Sequence, residues 1–165
     1  MAKAIAAQLS LPFIELDAFH NQEGWAELPE DEFQARVKPI AAGVAWVIDG
    51  NYTSKGVQDL VWERADTVVW LDLPRSVAMR RVIARTIRRA ATREVLWNGN
   101  REPWSNFFDP RPHKNIIVWT WTRHRGVKEK YERKMRDAHW SHLEFVRLHE
   151  TTEVDRFLEG LTPGA

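Results

Sequence analysis

Trp46-Val47-Ile48-Asp49-Gly50-Asn51-Tyr52 is an apolar run that ends in an acid, a glycine and two hydrogen-bonding side chains. A strand buried on both faces of a parallel sheet reads as such a run. The carboxyl end of such a strand is where an open α/β sheet sets its ligand chemistry. Two further stretches end in the same way: Pro12-Phe13-Ile14-Glu15-Leu16-Asp17 before it and Thr67-Val68-Val69-Trp70-Leu71-Asp72-Leu73-Pro74 after it. Three such runs predict carboxylates gathered along one sheet edge. The plainer alternative is that each Asp caps a turn or a helix.

Outward from these runs the chain alternates strand and helix. Met1 to Leu9 are nearly all good helix formers, with Ala2, Ile5, Ala6 and Leu9 at helical spacing, yet no cap, turn or strand precedes them. The short joint at Ser10-Leu11-Pro12 fits the return leg of a βαβ unit whose first strand is absent. Pro29 and the acids Glu30, Asp31 and Glu32 favour a helix start, with Phe33, Val37 and Ile40 as its buried stripe and Pro39 placed to kink it. Pro74 opens a helix whose apolar face is Met79, Val82, Ile83 and Ile87. Residues 91–113 are irregular in composition and predict a mobile flap. A long helical stretch follows, with Gly126 the place for a break. A last strand and a closing helix carrying Val154, Phe157, Leu158 and Leu161 end the chain. The expected fold is a three-layer α/β domain spanning 1–165, with parallel strands near 12–16, 45–48, 67–72 and 144–148 and helices near 2–9, 75–90, 114–137 and 152–161.

At 165 residues, 44% of them hydrophobic, the chain can bury one proper core. Its net charge is only +1, but the charge is unevenly spread. Residues 75–136 carry 17 Lys/Arg against 5 Asp/Glu, while 1–74 carry 5 against 12 and 137–165 carry 2 against 6. A basic middle between acidic ends points to an anion met in one place. The absence of cysteine excludes disulfides and thiolate zinc sites. No apolar run approaches the roughly 20 residues of a membrane span and no signal peptide is visible, so no membrane partner and a cytoplasmic location are expected. The nine tryptophans read chiefly as packing.

Arg81, Arg85 and Arg88 recur on one helix face with no acid among them. Like charges at that spacing repel, so the stripe reads as an anion site more readily than as a solvated face. His139 and His142 stand three apart without a third ligand and do not make a metal site. Basic residues interleaved with Trp119, Trp121 and Tyr131 keep a second class open, a module that tracks the phosphates of nucleic acid and stacks its bases. Against that class, the Trp and Ile spacing suits a buried helix face, and the strand-end acids would repel a polyanion.

Taken together, Leu16-Asp17, Asp49 to Tyr52, Val68 to Pro74, Arg81-x-x-x-Arg85, Leu96-Trp97-Asn98-Gly99-Asn100 and the terminal strand–helix pair resemble the P-loop kinases of the adenylate-kinase-like group. Within that group they are most similar to the bacterial family labelled adenylate kinase-like or "DNA topology modulation protein". The match runs over nearly the whole chain, and its order and spacing are more specific than any single motif. The resemblance implies a P-loop NTPase sheet with a lid at about 88–125 and an ATP-dependent kinase of a small molecule or nucleotide. Asp49 would hold Mg2+ through water. Asp17 would orient or deprotonate an acceptor hydroxyl. Arg81 and Arg85 at the lid base, with Arg123 and Arg125 from its far side, would spread over the transferring oxygens. Asn51, Tyr52 and the lid's Asn98 would touch the substrate. Nucleoside-monophosphate kinases place an arginine soon after Asp-Gly; here Asn51-Tyr52-Thr53 follows, which favours a hydroxylated small molecule as acceptor.

One departure is severe. The loop G-x-x-x-x-G-K-[ST] that would bind the phosphates is absent: the glycines stand at 24, 43, 50, 56, 99, 126, 160 and 164, none ahead of the first helix. The expectation is a chain that starts just past its nucleotide site and lacks the central strand, with the missing strand and loop encoded upstream of Met1. The alternative is an inactive remnant. As it stands, such a chain is expected to be inactive.

Overall fold

A computed structural model describes residues 1–112 and 114–162. His113, at the end of the expected flap, and residues 163–165 lie outside the described residues. The N-terminal helix α1 (Ala2–Leu9) starts at Met1 without a side-chain cap and buries Ile5 and Ala6. Ser10 closes it in a left-handed turn, φ 55°, with its N–H turned back on Ala6 and Ala7. Strand β1 (Phe13–Glu15) follows, and the short helix α2 (Leu16–His20) begins at once. The apolar run predicts a strand that reaches Leu16 and Asp17, with the residues from Ala18 to Trp25 as loop by composition. The chain instead coils because Leu16, only 2% exposed, must turn into the core directly after the strand. Asp17 therefore stands in the first turn of a helix rather than at a strand end.

Helix α3 (Glu30–Ala41) carries Glu30, Asp31 and Glu32 in its first turn, where they complement the helix dipole. Phe33 and Val37 are completely buried, and the helix runs past Pro39 to end two residues later. Strand β2 (Val47–Asp49) lies parallel to β1, pairing Phe13 with Val47, Ile14 with Ile48 and Glu15 with Asp49. Helix α4 (Val57–Trp62) leads to strand β3 (Thr67–Leu71). Helix α5 (Arg75–Thr92) opens just after Pro74, and helix α6 (Ile116–Arg136) continues unbroken through Gly126. Strand β4 (Glu144–Leu148) pairs in parallel with β3 over five residues, and α7 (Thr151–Gly160) closes the chain.

Among the described residues there are seven α-helices and two separate two-stranded sheets, β1–β2 and β3–β4. The parallel pairing expected from the apolar runs is present; a single continuous sheet is not. β2 and β3 each keep one unpaired edge, and Leu71 on the latter is 41% exposed. One core nonetheless reaches both sheets. Leu16, Phe33, Val37, Val57 and Val61 join Trp62, Val68, Trp70, Tyr131 and Trp140 in a single cluster. Trp62 meets Tyr131, Trp140 and Phe145 edge to face at 5.4–5.5 Å, a geometry that suits the ring quadrupoles. Trp104, Trp119 and Trp121 depart from the expected packing role and remain exposed.

The apolar face of α5 is also rotated from its expectation. Val82, Thr86 and Ala90 are buried, whereas Ile83 and Ile87 face outward. Thr86 sits inside without penalty because its hydroxyl donates to the Val82 carbonyl at 2.8 Å.

Candidate functional site

The carboxyl ends of β1 and β2 bring three acids together. Glu15 and Asp49 are register partners, and Asp17 follows two residues after Glu15. Gly50 makes the turn out of β2 at φ 143°, and a Cβ there would meet the Leu16 Cβ at 2.8 Å. Only glycine lets the chain pass that buried leucine. Beyond the turn, the half-buried Tyr52 donates its hydroxyl to Asp17 Oδ1. Asn51 is exposed and accepts from the Gln58 amide at 3.3 Å.

Burial first, then the charges of Glu15 and Asp17, raise the Asp49 carboxyl above its ordinary value; the Met1 amino group and, less strongly, Arg85 oppose them. Desolvation and the neighbouring Arg89 lower the Arg85 guanidinium, while Asp17, Glu102 and Asp49 favour its charge. Arg85 thus feels both the cation one turn along its own helix and the acids. Arg81, one turn earlier, donates from Nη2 to the Thr151 hydroxyl at 2.9 Å.

Two cavities lie against α6, one between it and α5 and the other between it, Asn51 and the end of β3. The larger, about 330 Å³, is lined by Arg81, Arg85, Val82, Ile116, Trp119 and Thr120. The other, about 130 Å³, is lined by Asn51, Trp70, Asp72, His124, Lys128 and again Trp119 and Thr120. Shared walls make them neighbouring parts of one cleft. Arg123 and Arg125 line neither part; both are exposed, and Arg125 pairs with Glu129 at 2.8 Å.

Asp72 does not join the other acids, contrary to the expected gathering of all three strand-end aspartates. Its buried carboxylate takes Arg147 at 2.6 Å, Lys128 at 3.1 Å and His149 at 3.3 Å, and Arg147 also reaches Glu132 at 2.7 Å. Burial alone would raise this carboxyl; hydrogen bonds from Arg147 and Lys128 more than offset it and hold it below the usual range. β4 lies beside β3, so its Arg147 is on hand for Asp72, whereas β1 and β2 have only one another.

The expected flap is partly fastened. Trp97 donates to Glu15 at 2.8 Å. The Asn98 amide donates to the Ala18 and Asn21 carbonyls at 3.1 and 2.6 Å. Asn100 accepts from the Trp25 N–H and donates to the Gln22 carbonyl. Asn98 is thereby engaged with backbone at the end of α2.

Sequence reading passed over Glu15 and Lys128. Glu15 had a signal, two residues before Asp17 in the same run; Lys128 becomes visible only when α6 packs beside Asp72, and Trp119, singled out as a stacking ring, lines the cleft. His142 Nε2 lies 3.1 Å from the Trp62 carbonyl, and His139 sits in a tight turn capped by Asp137. Among the described residues no three His, Asp or Glu side chains are grouped to hold a metal directly, and no helix is long and apolar enough to cross a membrane. No family model matches this chain, and neither a curated protein nor a solved structure does.

Proposed function

We propose that this α/β domain is the acceptor-and-lid part of an ATP-dependent phosphotransferase of the adenylate-kinase-like group, acting in the cytoplasm on a hydroxylated small molecule. The observation that carries the reading is the grouping of Asp49, at the end of β2, with Glu15 and with Asp17 in the first turn of α2, within electrostatic reach of Arg85 on the wall of a cleft of about 330 Å³. Phosphoryl transfer asks a protein for in-line positioning and charge neutralisation rather than covalent chemistry. Arg81 and Arg85 are suited to phosphate oxygens, since guanidinium forks bind them bidentately. The division into two parallel pairs, in which β2 and β3 each have an unpaired edge, also fits an α/β sheet whose middle strand lies between them.

Magnesium fits the residues present in one form. It is a hard cation that keeps several waters and takes one or two carboxylates. Asp49, its carboxyl raised by burial and by Glu15 and Asp17, lies in negative potential that a divalent ion relieves. ATP itself finds arginines but no glycine-rich backbone cradle within residues 1–165. In-line geometry then goes unenforced, and a misplacement of about 1 Å costs roughly a hundredfold in rate.

The test compares residues 1–165 with the same chain fused at Met1 to an apolar strand and a loop ending Gly-Lys-Ser/Thr. The fused chain is expected to bind Mg-ATP and transfer phosphate, and the 165-residue chain to do neither. Arg81→Ala and Arg85→Ala in the fusion should then lower turnover more than stability. Full turnover by residues 1–165 alone, or no ATP binding by the fusion, would overturn the reading.

A second reading keeps one specific observation. The spacing of Trp119 and Trp121 suggested a buried helix face, but both rings are exposed, and the Arg75 guanidinium lies 4.0 Å from the Trp121 ring. Exposed rings beside cations can stack single-stranded bases. Binding of a single-stranded oligonucleotide with a salt slope of several phosphates would favour this reading; no binding at low salt removes it.

A further inference from the structure

Tyr52 carries its phenol in a seat made by two helices, α2 and α3. Its ring meets His20 of α2 edge-on at 4.7 Å between centroids and Phe33 of α3 at 4.9 Å. His20 and Phe33 also touch each other, at 5.1 Å, and are 6% and 0% exposed. Neither neighbour can move without opening the core, so the direction of the Tyr52 hydroxyl is set by packing. That direction is toward Asp17 Oδ1. Asp17 is anchored in turn, since it lies in the first turn of α2 and its carbonyl accepts from the Asn21 amide at 3.0 Å.

We propose that Tyr52 is a positioning residue for Asp17. Its hydroxyl occupies Oδ1 and leaves Oδ2 as the oxygen presented to the acceptor. Tyr52 acts through Asp17 and does not itself contact the acceptor, in contrast to the substrate role expected for it from sequence. Only the role of Asp17 toward an acceptor rests on the phosphotransferase reading; the pairing of Tyr52 with Asp17 does not.

Burial, then the charge of Asp17 and the hydrogen bond to it, push the Tyr52 phenol far above its ordinary ionisation. The phenol therefore stays a donor across the working pH range. At neutral pH a downfield hydroxyl-proton resonance should vanish in Tyr52→Phe and move upfield in Asp17→Asn, which removes the charged acceptor. A hydroxyl resonance indifferent to Asp17→Asn would overturn the pairing.

A kinetic arm uses the loop-bearing fusion. Tyr52→Phe should lower kcat roughly tenfold to a hundredfold, in line with loss of positioning, leave the KM for ATP unchanged, and add nothing in an Asp17→Asn background. Additive losses would overturn the positioning role. Failure of the fusion to transfer phosphate would instead sink the phosphotransferase reading, and the spectroscopic result would stand by itself.

Discussion

Asp49 and Asp72 occupy equivalent places in the sequence pattern, each ending an apolar run, and the fold gives them opposite surroundings. The Asp49 carboxyl is raised, so the folded state holds its proton more tightly than the unfolded chain does. Its stabilising contribution is full below the ordinary carboxylate value and is lost as pH rises through the raised value. Asp49 is exposed at the strand end, so water screens much of this, and its ionised form works only weakly against folding at neutral pH. Asp49→Asn is expected to leave Tm unchanged or higher while abolishing any magnesium-dependent ATP binding by the fusion; a lower Tm would show that the carboxylate is structural. Asp72 is the reverse case. Its carboxyl is held low, so its contribution is present above the ordinary value and is lost as pH falls through the lowered one. Removing one partner of a buried ion pair strands the other charge. Arg147→Met should therefore cost about 3 kcal/mol in urea unfolding, the low end for such a loss because Lys128 and His149 remain near Asp72. A variant as stable as the parent would mean that those two suffice.

Among the elements, α6 depends on its first residue boundary more than its composition suggests. The Asn115 side-chain oxygen accepts from the Ile117 and Val118 N–H groups, and its amide donates to the carbonyl of Asp109 at 3.0 Å. One buried side chain thus starts the helix and ties the preceding loop to it. Asn115→Ala should cost about 1–2 kcal/mol, read from thermal unfolding, and should raise exchange in residues 106–112 as well as in the first turn. A loss confined to the helix would remove the tie. The three acids that open α3 were legible as a start signal because the dipole effect is local. The inward face of α5 was not. Its period alone allows a stripe through Met79, Val82, Ile83 and Ile87, and tertiary packing selects one through Val82, Thr86 and Ala90. Ile87→Ser should consequently shift stability by no more than about 0.5 kcal/mol, the range of ordinary surface changes. A larger loss would place Ile87 in a contact that buries it.

For the whole molecule, two small sheets share one core, and they are unequal. β3–β4 pairs five residues and ends on a buried ion-pair cluster; β1–β2 pairs three. Two-stranded units are marginal by themselves, so each draws its stability from the helices packed on it. Hydrogen exchange should open β1–β2 before β3–β4, since local opening follows local contact. Equal protection would indicate one cooperative unit. The sequence alone determined the parallel α/β class, the four strands to within about two residues, the main helices and the residues worth testing. It could do so because strand runs, caps and charge blocks depend on neighbours close along the chain. Only the tertiary structure decided that Asp17 belongs to a helix turn, that Tyr52 spends its hydroxyl on it, that Asp72 leaves the other acids for Arg147, and that Trp119 lines a cleft. Each of those depends on which element lies beside which. Pairs such as Asp17 with Tyr52 or Asp72 with Arg147 are far apart in sequence, and packing alone brings them within reach.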